Sequence, residues 1–357
     1  MALVGTTVFV ATGAGLEAVD GLTGKTVHLW VPRRELVPGN WPATPYVSNT
    51  GDKSVVAGYI VHTRGVGTTA PLCEIELQEV NAAGDRLEAD FTVPTPNQDA
   101  LGGLRIVEAT NRYVTLLIGD SGQSGEQLEQ ADGDIAVEVD MQRHRILWTA
   151  TSFIPAAGNG AVVVGSAVPV NMADPYVIEA RDRLTGKLRW KDDEPMMEAT
   201  VFPSGKGAVL VEGNDYATGG GLFEYVPMLS GKPLVLAKPG TTTDTWQCFF
   251  DGDRTDACGN TSGSSAAFAV DAATGALLWG LPDSAHNRVA PNVTFAWRGM
   301  VYGSTNWGNV VLDIRTGKDV DDAPGISPVV CDDYIGLADA TRQTPNGPET
   351  VLMAYPA

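Results

Sequence analysis

The sequence predicts an all-β chain, a β-propeller of eight four-stranded antiparallel blades, with seven blades as the alternative count. Three observations carry this reading. A turn signature occurs twice almost intact, at Ala180–Trp190 and Ala269–Trp279. Its glycine position recurs along the whole chain, at intervals of 60 residues up to 144 and of 42 to 45 beyond it. Gly and Pro, 41 and 22 of 357 residues, supply the dense turns that an all-β chain needs.

In both good copies an Asp (Asp182, Asp271) is followed by Thr-Gly (Thr185-Gly186, Thr274-Gly275) and then by Trp (Trp190, Trp279). The Asp carboxylate can accept from backbone N–H groups two and three residues on, closing an Asx-type turn. The Gly takes a left-handed backbone position without a Cβ clash. The Trp returns on the outgoing strand with a large apolar face that can cover a neighbouring blade. Partial copies fill the rest. Asp20, Thr23 and Gly24 lead to a Trp30 set two residues late; Asp140 precedes Trp148 at the expected interval, with His144 in the Gly position; Asp313 leads to Thr316-Gly317 without a Trp. The turn position falls at 24, 84, 144, 186, 231, 275 and 317, spaced by 60, 60, 42, 45, 44 and 42 residues. A period in the low forties with several short strands per unit is that of a propeller blade, so residues 1–357 are read as a single domain.

Taken in order, the first unit holds strands at 8–12, 16–20 and 25–31 and is expected to lack an inner strand. The second holds 54–60 and 72–80, where Cys73, Ile75 and Leu77 alternate with Glu74, Glu76 and Gln78 in the period of a half-buried strand. The third holds 112–118 and 135–140 around a polar loop at 120–134, either a functional face or a solvated insertion. Units four to seven hold 161–168 and 176–182; 207–211 and 222–226; 266–271 after the cysteine pair; and 293–297, 300–304 and 310–313. An eighth, with strands at 328–331, 334–338 and 350–355, stops before its outer strand.

The net charge of −19 argues against nucleic acid and anionic lipid as partners, which need basic stripes. No apolar run reaches membrane-span length. Met1-Ala2-Leu3 does not open a signal peptide, so an export signal or anchor is expected upstream. Cys248 and Cys258 flank an Asp-Gly hairpin signal and are expected to form a cross-strand disulfide, which places the chain outside the cytoplasm. The pairing of Cys73 and Cys331 is left open.

The Ala-x-Asp-x-x-Thr-Gly-x-x-x-Trp pattern resembles the tryptophan-docking repeat of the PQQ-like, or quinoprotein-dehydrogenase-like, propellers. The resemblance implies that Asp20, Thr23, Gly24, Trp30, Asp140, Trp148, Asp182, Thr185, Gly186, Trp190, Asp271, Thr274, Gly275 and Trp279 dock blade to blade. Enzymes of that family oxidise alcohols or sugars with pyrroloquinoline quinone and calcium, and those of similar repeat type carry adjacent cysteines over the cofactor. No adjacent cysteines occur here. Other members are bacterial envelope scaffolds and sensor modules, and the expectation is a non-catalytic, extracytoplasmic binding, sensor or scaffold module. A PQQ- or calcium-dependent enzyme is the alternative.

Remaining candidates are few. Asp251, Asp253 and Asp256 form an oxygen-rich run that suits calcium but lacks the spacing of a helix-loop-helix calcium loop. No cofactor is otherwise expected. The histidines show no metal spacing, Ser262–Ser265 has no nucleophile elbow, and Gly219-Gly220-Gly221 lacks the Lys of a phosphate loop. Trp297 and Trp307 are candidates for a binding rim. The expected partner is a protein or cell-envelope ligand, and the expected state a monomer.

Overall fold

The structure is a computed structural model. It describes all residues except 41, 49–52, 63–72, 82–83, 94–102, 120–133, 168–174, 193–195, 206, 216–219, 237–245, 261–265, 321–324, 345–346 and 357. The polar loop after residue 119, Gly219 and Ser262–Ser265 therefore lie outside the described residues.

The chain is an eight-bladed β-propeller, built of eight antiparallel sheets that follow one another in sequence. The first blade is β1 (Ala2–Val4), β2 (Thr7–Thr12), β3 (Gly15–Asp20) and β4 (Thr26–Trp30). The second is β5 (Tyr46–Val47), β6 (Val55–His62), β7 (Cys73–Val80) and β8 (Arg86–Phe91); the third is β9 (Gly103–Ala109), β10 (Tyr113–Gly119), β11 (Ile135–Asp140) and β12 (Arg145–Ala150). The fourth is β13 (Phe153–Gly158), β14 (Val162–Ala167), β15 (Val177–Asp182) and β16 (Leu188–Lys191); the fifth is β17 (Met196–Ser204), β18 (Ala208–Asp215), β19 (Gly221–Pro227) and β20 (Leu234–Val235). The sixth is β21 (Trp246–Phe250), β22 (Thr255–Asn260), β23 (Ala267–Asp271) and β24 (Leu277–Leu281). The seventh is β25 (Asn292–Trp297), β26 (Met300–Thr305) and β27 (Gly308–Asp313), and the eighth is β28 (Val330–Cys331), β29 (Ile335–Thr344) and β30 (Gly347–Pro356). A 3-10 turn at Ser284–His286 is the one helical element among the described residues.

One expectation about strand count is corrected. The first blade does have its first strand: Ala2-Leu3-Val4 pairs with β2 through Leu3 and Val8. Gly5, at φ 62, makes the tight turn between them, so three apolar residues are enough. Blades seven and eight have three strands each. In the seventh, a bridge from Leu312 to Asp319 and a bond from the Val320 N–H to the Val311 carbonyl (2.9 Å) hold a remnant of a fourth.

Within a blade, burial follows strand position. β6 and β11 are buried on nearly every residue because sheets cover both their faces, whereas β4 and β16 are mostly exposed. The first four blades form one compact unit (Met1–Asn171 and Ile178–Trp190), and the last four form another (Met172–Val177 and Lys191–Ala357). In the first, Ile75 and Leu77 of β7 pack with Leu104 and Ile106 of β9 and Leu116 of β10. In the second, Phe223, Trp246 and Phe268 meet edge to face, with centroids 4.9 to 6.3 Å apart.

The alternation in β7 is misleading. Glu76 and Gln78 are fully buried, not solvated. The segment after β4 lies over them: the Arg33 N–H donates to both Glu76 oxygens (2.9 and 3.0 Å), and the Arg33 guanidinium reaches Glu88 (3.0 Å) and Asp90 (2.8 Å). Arg34 pairs with Glu74, and Arg86 pairs with Glu88 while donating to the Val31 carbonyl (2.8 Å).

Candidate functional site

The recurring turn is built the same way throughout. Gly24, Gly84, His144, Gly186, Gly231, Gly275 and Gly317 all have positive φ, from 49° to 85°. Where Asp and Thr-Gly are both present, one Asp oxygen accepts from the Thr amide and the Thr hydroxyl. For Asp20 these bonds are 2.8 and 2.9 Å, for Asp182 3.0 and 2.8 Å, for Asp271 both 3.1 Å, and for Asp313 2.8 and 2.7 Å. The Gly N–H then returns to the Asp carbonyl at 2.7 to 2.8 Å. These bonds hold the carboxyls below their ordinary range, led by the Thr23 amide at Asp20 and by the Thr185 and Thr316 hydroxyls at Asp182 and Asp313. At Asp271 burial opposes the shift, and Thr274, Ala273 and Arg254 together overcome it. Asp140 keeps one bond of this set, from the Arg143 N–H (3.1 Å), and its other oxygen takes Arg112 (2.9 Å).

Aromatic rings sit on three of these turns. The Trp148 indole N–H donates to the Arg183 carbonyl (2.8 Å), and a Cβ on Gly186 would lie 2.7 Å from its ring. Trp279 donates to the Ile314 carbonyl (2.7 Å) and lies as close over Gly317. The third ring, Tyr225 of β19, escaped sequence analysis because it lies one strand early. Its hydroxyl donates to the Ala272 carbonyl (2.9 Å) and its ring covers Gly275. In each case the acceptor follows the turn Asp directly in sequence. Trp190 is half-buried on β16. Trp30, displaced by its late position, pairs in register with Leu16 and stacks near Phe9 (6.2 Å); nothing lies within 4 Å of a Cβ on Gly84.

Beneath these turns lie buried ionisable groups that carry no sequence motif. Arg183, just after Asp182, is fully buried; it pairs with Glu108, and its Nε lies 3.6 Å from Glu138. Thr115 donates to the second Glu138 oxygen (2.6 Å). Burial pushes the Glu138 carboxyl up to about 7, against the pull of Arg183 and Thr115. A Cβ at Gly158 would fall 2.3 Å from the Arg183 guanidinium, so glycine makes room for the pair. In the second unit Asp256 is fully buried and accepts from the Ser204 hydroxyl (2.5 Å). Burial raises it to about 7, with Asp251 adding to the rise.

The acidic run does not converge on one point. Asp251 Oδ1 accepts from the amides of Asp253 (2.9 Å), Arg254 (2.8 Å) and Thr255 (3.0 Å), closing its own turn, while Asp253 is exposed and Asp256 faces Ser204. No group of three or more metal-ligating side chains occurs among the described residues. Cys248 and Cys258 sit opposite each other on β21 and β22 and form the disulfide, with Cα atoms 4.1 Å apart. Cys73 and Cys331 are free and buried, and burial pushes the Cys331 thiol up to about 12. Trp297 and Trp307 lie at opposite ends of β26 and share no rim. Trp297 packs 3.0 Å from where a Gly252 Cβ would be, and Trp307 is 80% exposed.

No family model and no curated protein matches the sequence. Solved structures do. A prolyl endopeptidase is 13% identical over 88% of this chain with a TM-score of 0.50, and this chain spans 46% of its length. The propeller domain of the Trilobed protease from Pyrococcus furiosus is 9% identical over 87% of this chain and 95% of its own, with a TM-score of 0.42. A quinohemoprotein alcohol dehydrogenase from Pseudomonas putida is 12% identical over 94% of this chain and 69% of its own, with a TM-score of 0.43. Likeness at this level speaks for the fold alone.

Proposed function

We propose that this chain is a PQQ-like repeat propeller that works outside the cytoplasm as a binding or scaffold module. The observation that carries the reading is how its side chains are deployed. Carboxylates of the kind that chemistry would use are committed inward: Asp251 to a turn, Asp256 to Ser204, Glu138 to Thr115 and Arg183. Apolar side chains, by contrast, are presented outward at one repeated turn position, as Leu22, Leu184 and Leu229, all exposed, with Trp307 on a separate turn. Isolated exposed leucines are ordinary; recurrence at the equivalent turn of three repeats supports a separate partner-contact point on each of those repeats. The Cys248–Cys258 bond fits an oxidising compartment.

The test is affinity capture from cell-envelope extract under mild crosslinking, run beside a variant carrying Leu22→Ser, Leu184→Ser and Leu229→Ser. A protein or envelope ligand retained by the parent and lost by the variant, at unchanged melting temperature, is the expected result. Equal retention by both removes the leucine contacts. Dye reduction on alcohols or sugars after adding quinone and calcium would favour the enzyme reading instead.

A further inference from the structure

The hairpin between β26 and β27 carries a ring that the fold does not need. The first blade makes the same hairpin without one. There Thr12 pairs with Gly15, the Thr12 hydroxyl donates to the Gly15 carbonyl (3.2 Å) and accepts from the Ala14 N–H (3.2 Å), and Gly15 has φ 138°. In the seventh blade Thr305 pairs with Gly308, the Thr305 hydroxyl donates to the Gly308 carbonyl (3.2 Å) and accepts from the Trp307 N–H (3.2 Å), and Gly308 has φ 135°. Trp307 stands where the first blade has Ala14. Turn chemistry therefore does not account for the indole, and packing does not either, because Trp307 is 80% exposed. Its face is apolar surface that a ligand would take out of water, on a hairpin already closed before the ligand arrives.

A row of polar side chains begins at the same end of the blade. Register sets Asn292 of β25 opposite Ser304 of β26, and Ser304 opposite Asn309 of β27, so the three share one face of the sheet. Asn292 and Asn309 are exposed and Ser304 is half-buried. The Asn309 amide donates to the Gly325 carbonyl (2.7 Å), which fixes the side chain and leaves its Oδ1 to accept. The Asn292 amide and the Ser304 hydroxyl take no partner among the described residues. The surroundings are neutral. From Val289 to Leu312 the one charged residue is Arg298, in the turn at the other end of these strands, although charged residues make up 19% of the chain.

We propose that Trp307, Asn292, Ser304 and Asn309 form a binding site for a neutral carbohydrate. A pyranose matches what this surface offers: its C–H face packs flat on an indole, and its hydroxyls both donate to and accept from amides and a hydroxyl. An anionic ligand would need a cation here, and the row holds none. A proline-rich segment also packs on an indole, but its prolines have no N–H to give the amide oxygens of Asn292 and Asn309. The site rests on the binding-module reading for its biological role, and it shares no residue with the Leu22, Leu184 and Leu229 contacts.

Titration with neutral pentasaccharides of glucose, N-acetylglucosamine, xylose and mannose, followed by the indole and side-chain amide resonances, tests it. The expected result is a saturable shift of the Trp307 and Asn309 signals by at least one of the four, with a dissociation constant below about 5 mM. Trp307→Ala reproduces the first blade's hairpin and should weaken binding about thirtyfold at unchanged melting temperature. Ser304→Ala should weaken it about fivefold, and Trp307→Tyr, which keeps a flat ring, should bind close to the parent. The Leu22→Ser, Leu184→Ser, Leu229→Ser variant should bind the saccharide as the parent does, so a failed envelope capture and a failed titration are separate results. No shift at Trp307 with any of the four saccharides up to about 20 mM overturns the inference. So does saccharide binding that Trp307→Ala leaves intact, or a polyproline peptide that shifts Trp307 where no saccharide does.

Discussion

The aromatic-over-glycine contact makes a quantitative claim that a double-mutant cycle can break. Trp148 is buried, donates to the Arg183 carbonyl at 2.8 Å, and lies 2.7 Å from where a Gly186 Cβ would be. Trp148→Ala removes a large buried ring and should cost about 3–5 kcal/mol. Trp148→Phe keeps most of the apolar surface and leaves the carbonyl unsatisfied, for about 1–3 kcal/mol. Gly186→Ala suffers twice: its φ of 67° disfavours any side chain, about 1 kcal/mol, and its methyl collides with the indole, about 1–3 kcal/mol more. In the Trp148→Ala background the collision vanishes and only the backbone term remains. The cycle should therefore return a coupling of about 1–3 kcal/mol in urea melts. Additive losses would mean that the ring does not rest on the turn in solution, and the blade-to-blade reading of Trp279 over Gly317 and Tyr225 over Gly275 would fall with it.

Four further outcomes are expected. Asp256→Asn keeps an acceptor for Ser204 without a charge: the parent's raised carboxyl makes stability fall as pH rises from about 4 to about 7, and the variant should lose that slope and gain on the order of 3 kcal/mol at pH 8, which denaturant melts across pH would show. His144→Gly relieves a left-handed residue (φ 49°) and should stabilise by about 1 kcal/mol in the same assay. Removing the Cys248–Cys258 bond by paired Ala substitutions should cost about 3 kcal/mol, and peptide mapping without reduction should recover the two cysteines linked. Calcium at millimolar levels should leave the melting temperature unchanged, because Asp251 Oδ1 is taken by three backbone N–H groups and Asp256 faces Ser204, away from Asp253 at the surface; a rise would restore the calcium reading.

What was legible in the sequence follows from how local each interaction is. The Asp-x-x-Thr-Gly turn is complete within six residues, so four copies were legible directly, and the period placed three more, including the one where His144 takes the glycine's place. The hairpin that closes the disulfide is local too, since Asp251 and Gly252 set its register. The buried charges were not legible. Arg183 meets Glu108 from 75 residues away, and Ser204 meets Asp256 from 52. The alternation of β7 announced a solvated face because period two records only that two faces differ. It cannot record that Arg33, 43 residues earlier, covers the polar one.

The departures from the repeat then have a physical pattern. Where a complete turn meets an aromatic ring, docking is apolar and needs one hydrogen bond, as with Trp148 and Trp279. Where the chain supplies no Trp at the right step, another solution occupies the place. In the fifth blade Tyr225 reaches the same carbonyl position from the third strand. In the second blade no ring covers Gly84, and Trp30 packs further along against Phe9. There the join between first and second blades is an apolar cluster of Phe9, Leu16 and Trp30 with Val55, Tyr59 and Val61, and Arg33 and Arg34 of the connecting segment add ion pairs to Glu74, Glu88 and Asp90. The buried Glu76 is held by the Arg33 backbone N–H, while the Arg33 side chain reaches only the partly exposed Glu88 and Asp90. Arg33→Ala keeps that N–H and should cost no more than about 1 kcal/mol in urea melts, whereas a larger loss would show that the pairs at Glu88 and Asp90, and not the apolar cluster, carry the join.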